Sequence, residues 1–131
     1  MRRVFTSYDE LPELLDLAEE DCRRAGLPDS LAFKAQVVLE ELFVNIFKHA
    51  YQGGYGSAEI ILEAEERALF ISVADQGPAF DPLGAETPDL ERRFAEGRPG
   101  GAGLVLLRSL AGDLRYFRRD DRNILEMRIT A

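Results

Sequence analysis

The stretch from Ser57 to Asp75, SAEIILEAEERALFISVAD, constrains the fold most. Two runs rich in aliphatic and β-branched residues flank a charged turn near Glu66 and Arg67, which predicts an antiparallel hairpin over about 57 to 75. DLRYFRR and NILEMRIT form a second pair of alternating runs, joined at Asp120, Asp121 and Arg122. A short strand core at Val4 and Phe5 precedes both hairpins.

Helical spacing fills the intervals. Leu11, Leu14, Leu15, Ala18 and Cys22 recur three and four residues apart, and the longest helical pattern runs over residues 31 to 51 until Gly53, Gly54 and Gly56 end it. Residues 76 to 101 are dense in proline and glycine, which predicts a mobile loop, with Thr87 and Pro88 suited to cap a short helix over DLERRFAEG. GLVLLRSLAG restores the helical pattern. The order β-α-α-β-β-loop-α-β-β, with strands joined mostly by hairpins, predicts an α+β two-layer sandwich. Its sheet is mixed and largely antiparallel, with the helices on one face.

A length of 131 residues with 46% hydrophobic content predicts one domain over residues 1 to 131. The net charge of -8 opposes nonspecific attraction to nucleic acid or anionic lipid, so no direct nucleic-acid contact is expected. The single cysteine, Cys22, rules out an internal disulfide and suits buried packing in a reducing compartment. The MRRVFTSYDE start lacks the apolar core of a signal peptide and no apolar run suffices to cross a bilayer, so a cytoplasmic location without membrane insertion is expected.

Polar residues interrupt the apolar character of LEELFVNIFKHAY, residues 39 to 51. On an α-helix Glu41, Asn45 and His49 share one stripe, with Lys48 beside them. This stripe suits a solvent-facing helix edge, but asparagine at a helix centre is a poor helix former and calls for compensation. A carboxylate and an amide oxygen are hard donors suited to magnesium, whose remaining ligands are usually waters and phosphates. His49 lacks Cys or His partners for zinc and a Ser and Asp constellation for hydrolysis, which leaves a structural role or a phosphate contact.

Two glycine motifs follow. ISVAD runs into QGPAFDP, setting Asp75 at a strand end, with Gly77 free to adopt backbone angles that other residues resist. An ionised Asp75 accepts hydrogen bonds only, which suits the exocyclic amine of adenine, and Phe80 is placed to cover the base; a plain turn with Asp as its cap fits the same residues. RPGGAGLVLLRSL sets Gly100, Gly101 and Gly103 before an apolar helix, an entrance that favours an anion such as phosphate, although such loops also serve as hinges. The Lys-Ser/Thr ending of a Walker loop is absent.

Taken in order, E-L-F-V-N at 41 to 45, D-Q-G-P-A-F-D-P at 75 to 82 and G-G-A-G-L at 100 to 104 resemble the ATP-binding boxes of the GHKL superfamily. The resemblance extends over about residues 4 to 130 and is closest to the bacterial anti-sigma-factor serine/threonine kinases, which implies a Bergerat-type ATP-binding fold. It implies ATP and Mg2+ as cofactors, Asn45 as the metal ligand and Glu41 as the general base. It further implies Asp75 as the adenine contact, a mobile lid over about residues 82 to 103, and Gly77, Gly100, Gly101, Gly103 and Leu104 shaping the nucleotide pocket, with Lys48 and His49 beside it. The implied partners are a STAS-type anti-anti-sigma protein, phosphorylated on serine, and a sigma factor; a homodimer is also implied. Pro78 and Ala79 depart from the sensor histidine kinase pattern, where a second glycine is usual. A noncatalytic module in which ATP sets affinity for a regulator is the competing function.

Overall fold

The computed structural model describes residues 1–52, 54–79 and 101–131, excluding the side chains of 101–104. Strand β1 (Arg2–Phe5) leads through a short 3-10 turn (Tyr8–Glu10) into helix α1 (Leu11–Arg24), followed by helix α2 (Asp29–Val44) and a π-helical segment (Asn45–Ala50). Strands β2 (Ala58–Ala64) and β3 (Ala68–Asp75), helix α3 (Gly101–Leu110) and strands β4 (Gly112–Arg119) and β5 (Arg122–Thr130) complete the described elements. The expected helix over DLERRFAEG and most of the expected lid lie outside the described residues.

The described strands form one sheet in the order β1-β2-β3-β5-β4. All four pairings are antiparallel, where the sequence left room for a mixed sheet. Alternation decides the layers. Ile60 and Leu62 of β2, Leu69, Ile71 and Val73 of β3, and Leu125, Met127 and Ile129 of β5 are buried members of one phase. They share the core with Leu14, Ala18, Leu31, Ala35, Val38 and Phe43 of the helices. On the opposite phase Val4 and Phe117 stay exposed. The helices therefore cover one face, as the hairpin pattern predicts.

Local signals fix the joints. Gly26, at φ 71°, ends α1 in a left-handed turn, with Leu27 N–H donating to Cys22 C=O at 2.9 Å and Gly26 N–H to Arg23 C=O at 3.1 Å, a Schellman pattern. Asp120 and Asp121, at φ 53° and 59°, form the two-residue turn of the β4–β5 hairpin, with Arg119 paired to Arg122. Cys22 is buried on α1, and burial pushes its thiol above the ordinary value, which suits packing.

Candidate functional site

Helix α2 is anchored by its aromatic side. Phe43 meets Phe5 edge-on at 5.6 Å between ring centroids and Phe47 at 4.7 Å, and Phe47 continues to Tyr51 at 5.9 Å. With Leu42, Phe43, Ile46 and Phe47 buried, Glu41 and Asn45 are held at the half-buried margin of the same helix. Neither side chain makes a hydrogen bond or ion pair among the described residues. Glu41 keeps partial access to water, so it avoids the penalty of a fully buried, unpaired carboxylate.

The helix does not keep α-helical winding to its end. Asn45 N–H is shared between Glu41 C=O and Leu42 C=O, and from Asn45 to Ala50 the bonds widen to the π pattern, closing with Tyr51 N–H to Ile46 C=O at 2.9 Å. The stripe expected from α-helical spacing therefore changes course beyond Asn45. Lys48 is exposed, with its ammonium 4.3 Å from the centroid of the Tyr8 ring, a cation–π contact. His49 is exposed.

Asp75 ends β3, as expected, and is half-buried. Its Oδ1 accepts from Gly77 N–H at 2.8 Å and from the Asn123 amide at 3.1 Å. Oδ2 accepts nothing among the described residues. This leaves one lone-pair face of a strand-end carboxylate available to a donor. Gly77 is not in the left-handed region; what it supplies is room, because a Cβ there would lie 2.9 Å from Ala50 Cβ and 3.0 Å from Asp75 Oδ1. The end of the helix bearing Glu41 and Asn45 thus packs directly on the loop that follows Asp75.

Tyr51 ties the same pieces together. Its hydroxyl donates to Ser57 C=O and accepts from Gln76 N–H, both at 2.7 Å. Burial raises its pKa above the usual tyrosine value. From the other side of the sheet row, Asn123 of β5, buried at 7% exposure, reaches Asp75, while Tyr116 and Arg118 of β4 reach Asn123. Sequence reasoning passed over Asn123, Tyr51, Tyr116 and Arg118. Asn123 carries a signal all the same: it is the one polar residue on the buried phase Asn123, Leu125, Met127, Ile129.

Gly101, Gly103 and Leu104 form the first turn of α3 and do not precede it, and α3 packs on α2 with Leu107 buried. Phe80 and Gly100 lie outside the described residues. Among the described residues no group of three or more acidic, His or Cys side chains is gathered to hold a metal ion. A cation here would draw most of its ligands from water and phosphate, with Asn45 offering one amide oxygen, the regime magnesium prefers.

A strand-end carboxylate beside an acid- and amide-bearing helix, on an antiparallel sheet covered by helices on one face, defines a class. The chain matches the histidine kinase-like ATPase domain over residues 6–129 and belongs to that family, a GHKL-type domain. Among its relatives is the serine/threonine-protein kinase BtrW of Bordetella bronchiseptica, 36% identical over 98 residues, spanning 74% of this chain and 69% of the relative. The serine-protein kinase RsbW of Bacillus cereus is 27% identical over 94 residues, spanning 69% of this chain and 59% of RsbW. The catalytic domain of histidine kinase ThkA has a similar fold, with a TM-score of 0.51 at 18% identity over 99% of this chain and 95% of that domain. Acinetobacter baumannii histidine kinase AdeS gives 0.50 at 16% identity over 99% of this chain and 67% of AdeS.

Proposed function

We propose that this chain is a single-domain, ATP- and Mg2+-dependent protein serine/threonine kinase of the anti-sigma-factor type. In this proposal it phosphorylates a STAS-type anti-anti-sigma partner, acts in the cytoplasm as a homodimer, and exchanges that partner for a sigma factor. The observation that carries the proposal is the open Oδ2 of Asp75, held beside the helix of Glu41 and Asn45. The similarity to BtrW, a serine/threonine-protein kinase, supports the reaction class. No helix among the described residues is long and apolar enough to cross a membrane.

In this proposal Asp75 would accept from the adenine amine, and Asn45 would help to hold a magnesium ion, which would supply positive charge against the phosphates. Glu41 takes the proton of the acceptor hydroxyl as its oxygen bonds to the γ-phosphorus and the bond to the β-phosphate oxygen breaks. Phosphoryl transfer depends mainly on positioning and charge stabilisation, so a helix rigidly anchored by Phe43 and Phe47 is an apt base for these groups. The test mixes purified protein, labelled ATP and each cognate partner. Label is expected on a partner serine or threonine, and no transfer to any cognate partner rejects the kinase in favour of an ATP-binding module. Glu41→Gln is expected to keep ATP affinity and lose about 10²-fold or more in transfer. Equal transfer by mutant and wild type removes Glu41 from the base role.

A further inference from the structure

We propose that Asn123 is the positioning residue that makes Asp75 selective for an amino-bearing base: its carboxamide, locked by Tyr116 and Arg118, holds one oxygen of Asp75 and leaves the other for the base. This inference rests on the ATP-site reading above and adds the element that sets base choice.

A buried amide costs free energy unless its polar atoms are bonded, and those of Asn123 are bonded at both ends. Among the described residues Nδ2 meets acceptors: Asp75 Oδ1 at 3.1 Å, Gly77 C=O at 3.3 Å and Pro78 C=O at 2.9 Å. Oδ1 accepts from the Tyr116 hydroxyl at 2.5 Å and from Arg118 Nη1, which can only donate, at 3.2 Å. Rotating the amide by half a turn would set its NH2 against the guanidinium and its oxygen against a carboxylate and two carbonyls. The chemistry of its neighbours therefore fixes its orientation.

The register explains how these groups meet. Asp75 pairs with Asn123 across β3 and β5, and Asn123 with Arg118 across β5 and β4, so acid, amide and guanidinium form one row on the helix-covered face. Arg118 Nη1 also donates to Gly77 C=O at 2.9 Å, pinning the loop that holds the carboxylate. With Gly77 N–H and Asn123 Nδ2 both on Oδ1, the carboxylate plane is set and Oδ2 is left as the acceptor. A base bearing an amine there donates to Oδ2. One bearing a carbonyl turns lone pairs against a carboxylate, and one bearing hydrogen leaves Oδ2 unpaired. If the carboxylate could turn, it could evade the mismatch, so the lock converts contact into discrimination.

The experiment measures binding of ATP, inosine triphosphate and purine riboside triphosphate to the full chain with magnesium by calorimetry. Wild type is expected to prefer ATP to purine riboside triphosphate by about tenfold or more, the worth of a hydrogen bond to a charged acceptor. Asn123→Leu is expected to cut that preference about fivefold or more while purine riboside triphosphate binding stays within about twofold. Tyr116→Phe, a gentler change that leaves Arg118 on Oδ1, is expected to lower the preference by a smaller factor. In Asn123→Asp an ionised carboxylate has no proton to donate to Asp75 Oδ1, so the ATP preference is expected to fall about as far as in Asn123→Leu. A wild type that binds no ATP overturns the pocket and this inference together. A wild type that prefers ATP while all three variants keep its full ratio overturns the role of Asn123 alone.

Discussion

At the end of the π segment, the Tyr51 hydroxyl bonds at once to the segment before β2 and to the residue after β3. Tyr51→Phe removes a donor from Ser57 C=O and an acceptor from Gln76 N–H without changing the ring's contact with Phe47. We expect a loss of about 1 to 2 kcal/mol, read from urea unfolding, with the denaturant slope unchanged. The same hydroxyl predicts a pH dependence. Burial raises its folded pKa above the unfolded value of about 10, so its contribution is complete below that pH and is lost as pH rises through the folded pKa. Phenolate absorbance should show a late-titrating tyrosine that disappears in Tyr51→Phe; a titration curve identical in shape for both proteins would refute the assignment.

Among the elements, the junction of α2 and the β3 end couples the two halves of the site. A Cβ at Gly77 would collide with Ala50 and crowd Asp75 Oδ1, so Gly77→Ala should force the loop off the helix. ATP affinity is expected to fall about tenfold, and the added substitution Ala50→Gly should recover part of it despite a helix cost of about 1 kcal/mol. If the double variant binds no better than Gly77→Ala, the contact is not what the glycine serves. This junction also marks where the sequence was legible and where it was not. The hairpins were readable because period-two alternation survives in β2 and β5, while the central β3 is an apolar run buried on both phases up to Asp75 at its end. The glycine was located for the wrong physical reason, since backbone angle is visible as a residue preference, but that a Cβ at Gly77 would come within 2.9 Å of Ala50 Cβ is a tertiary fact. Likewise nothing in LFVNIFKHAY announces a change from α to π winding, because no breaker is needed to widen a helix whose apolar side is already buried. The contact of the Lys48 ammonium with the Tyr8 ring is likewise a tertiary fact that helical spacing does not show.

For the whole molecule, the proposed site draws on residues far apart in the chain: Glu41 and Asn45 from α2 and its π segment, Asp75 from β3, Asn123 from β5, and Tyr116 and Arg118 from β4. A ligand bridging these elements binds only when helix layer and sheet are assembled, so its binding free energy adds to folding stability by mass action. With ATP and magnesium at about a hundred times the dissociation constant, the gain is about 2.7 kcal/mol, on the order of 10 °C in the thermal midpoint of a domain this size. Asp75→Asn isolates the ligand's share, because an asparagine oxygen at 75 still accepts from Gly77 N–H and the Asn123 amide while the second position changes from acceptor to donor. We therefore expect Asp75→Asn to keep the ATP-free midpoint within a few degrees of wild type and to lose most of the ATP-dependent rise. Circular dichroism melts with and without nucleotide measure both quantities. A full ATP-dependent rise in Asp75→Asn would mean that the nucleotide binds elsewhere on the molecule, whereas a collapsed ATP-free midpoint would mean that the carboxylate's charge holds the sheet row together.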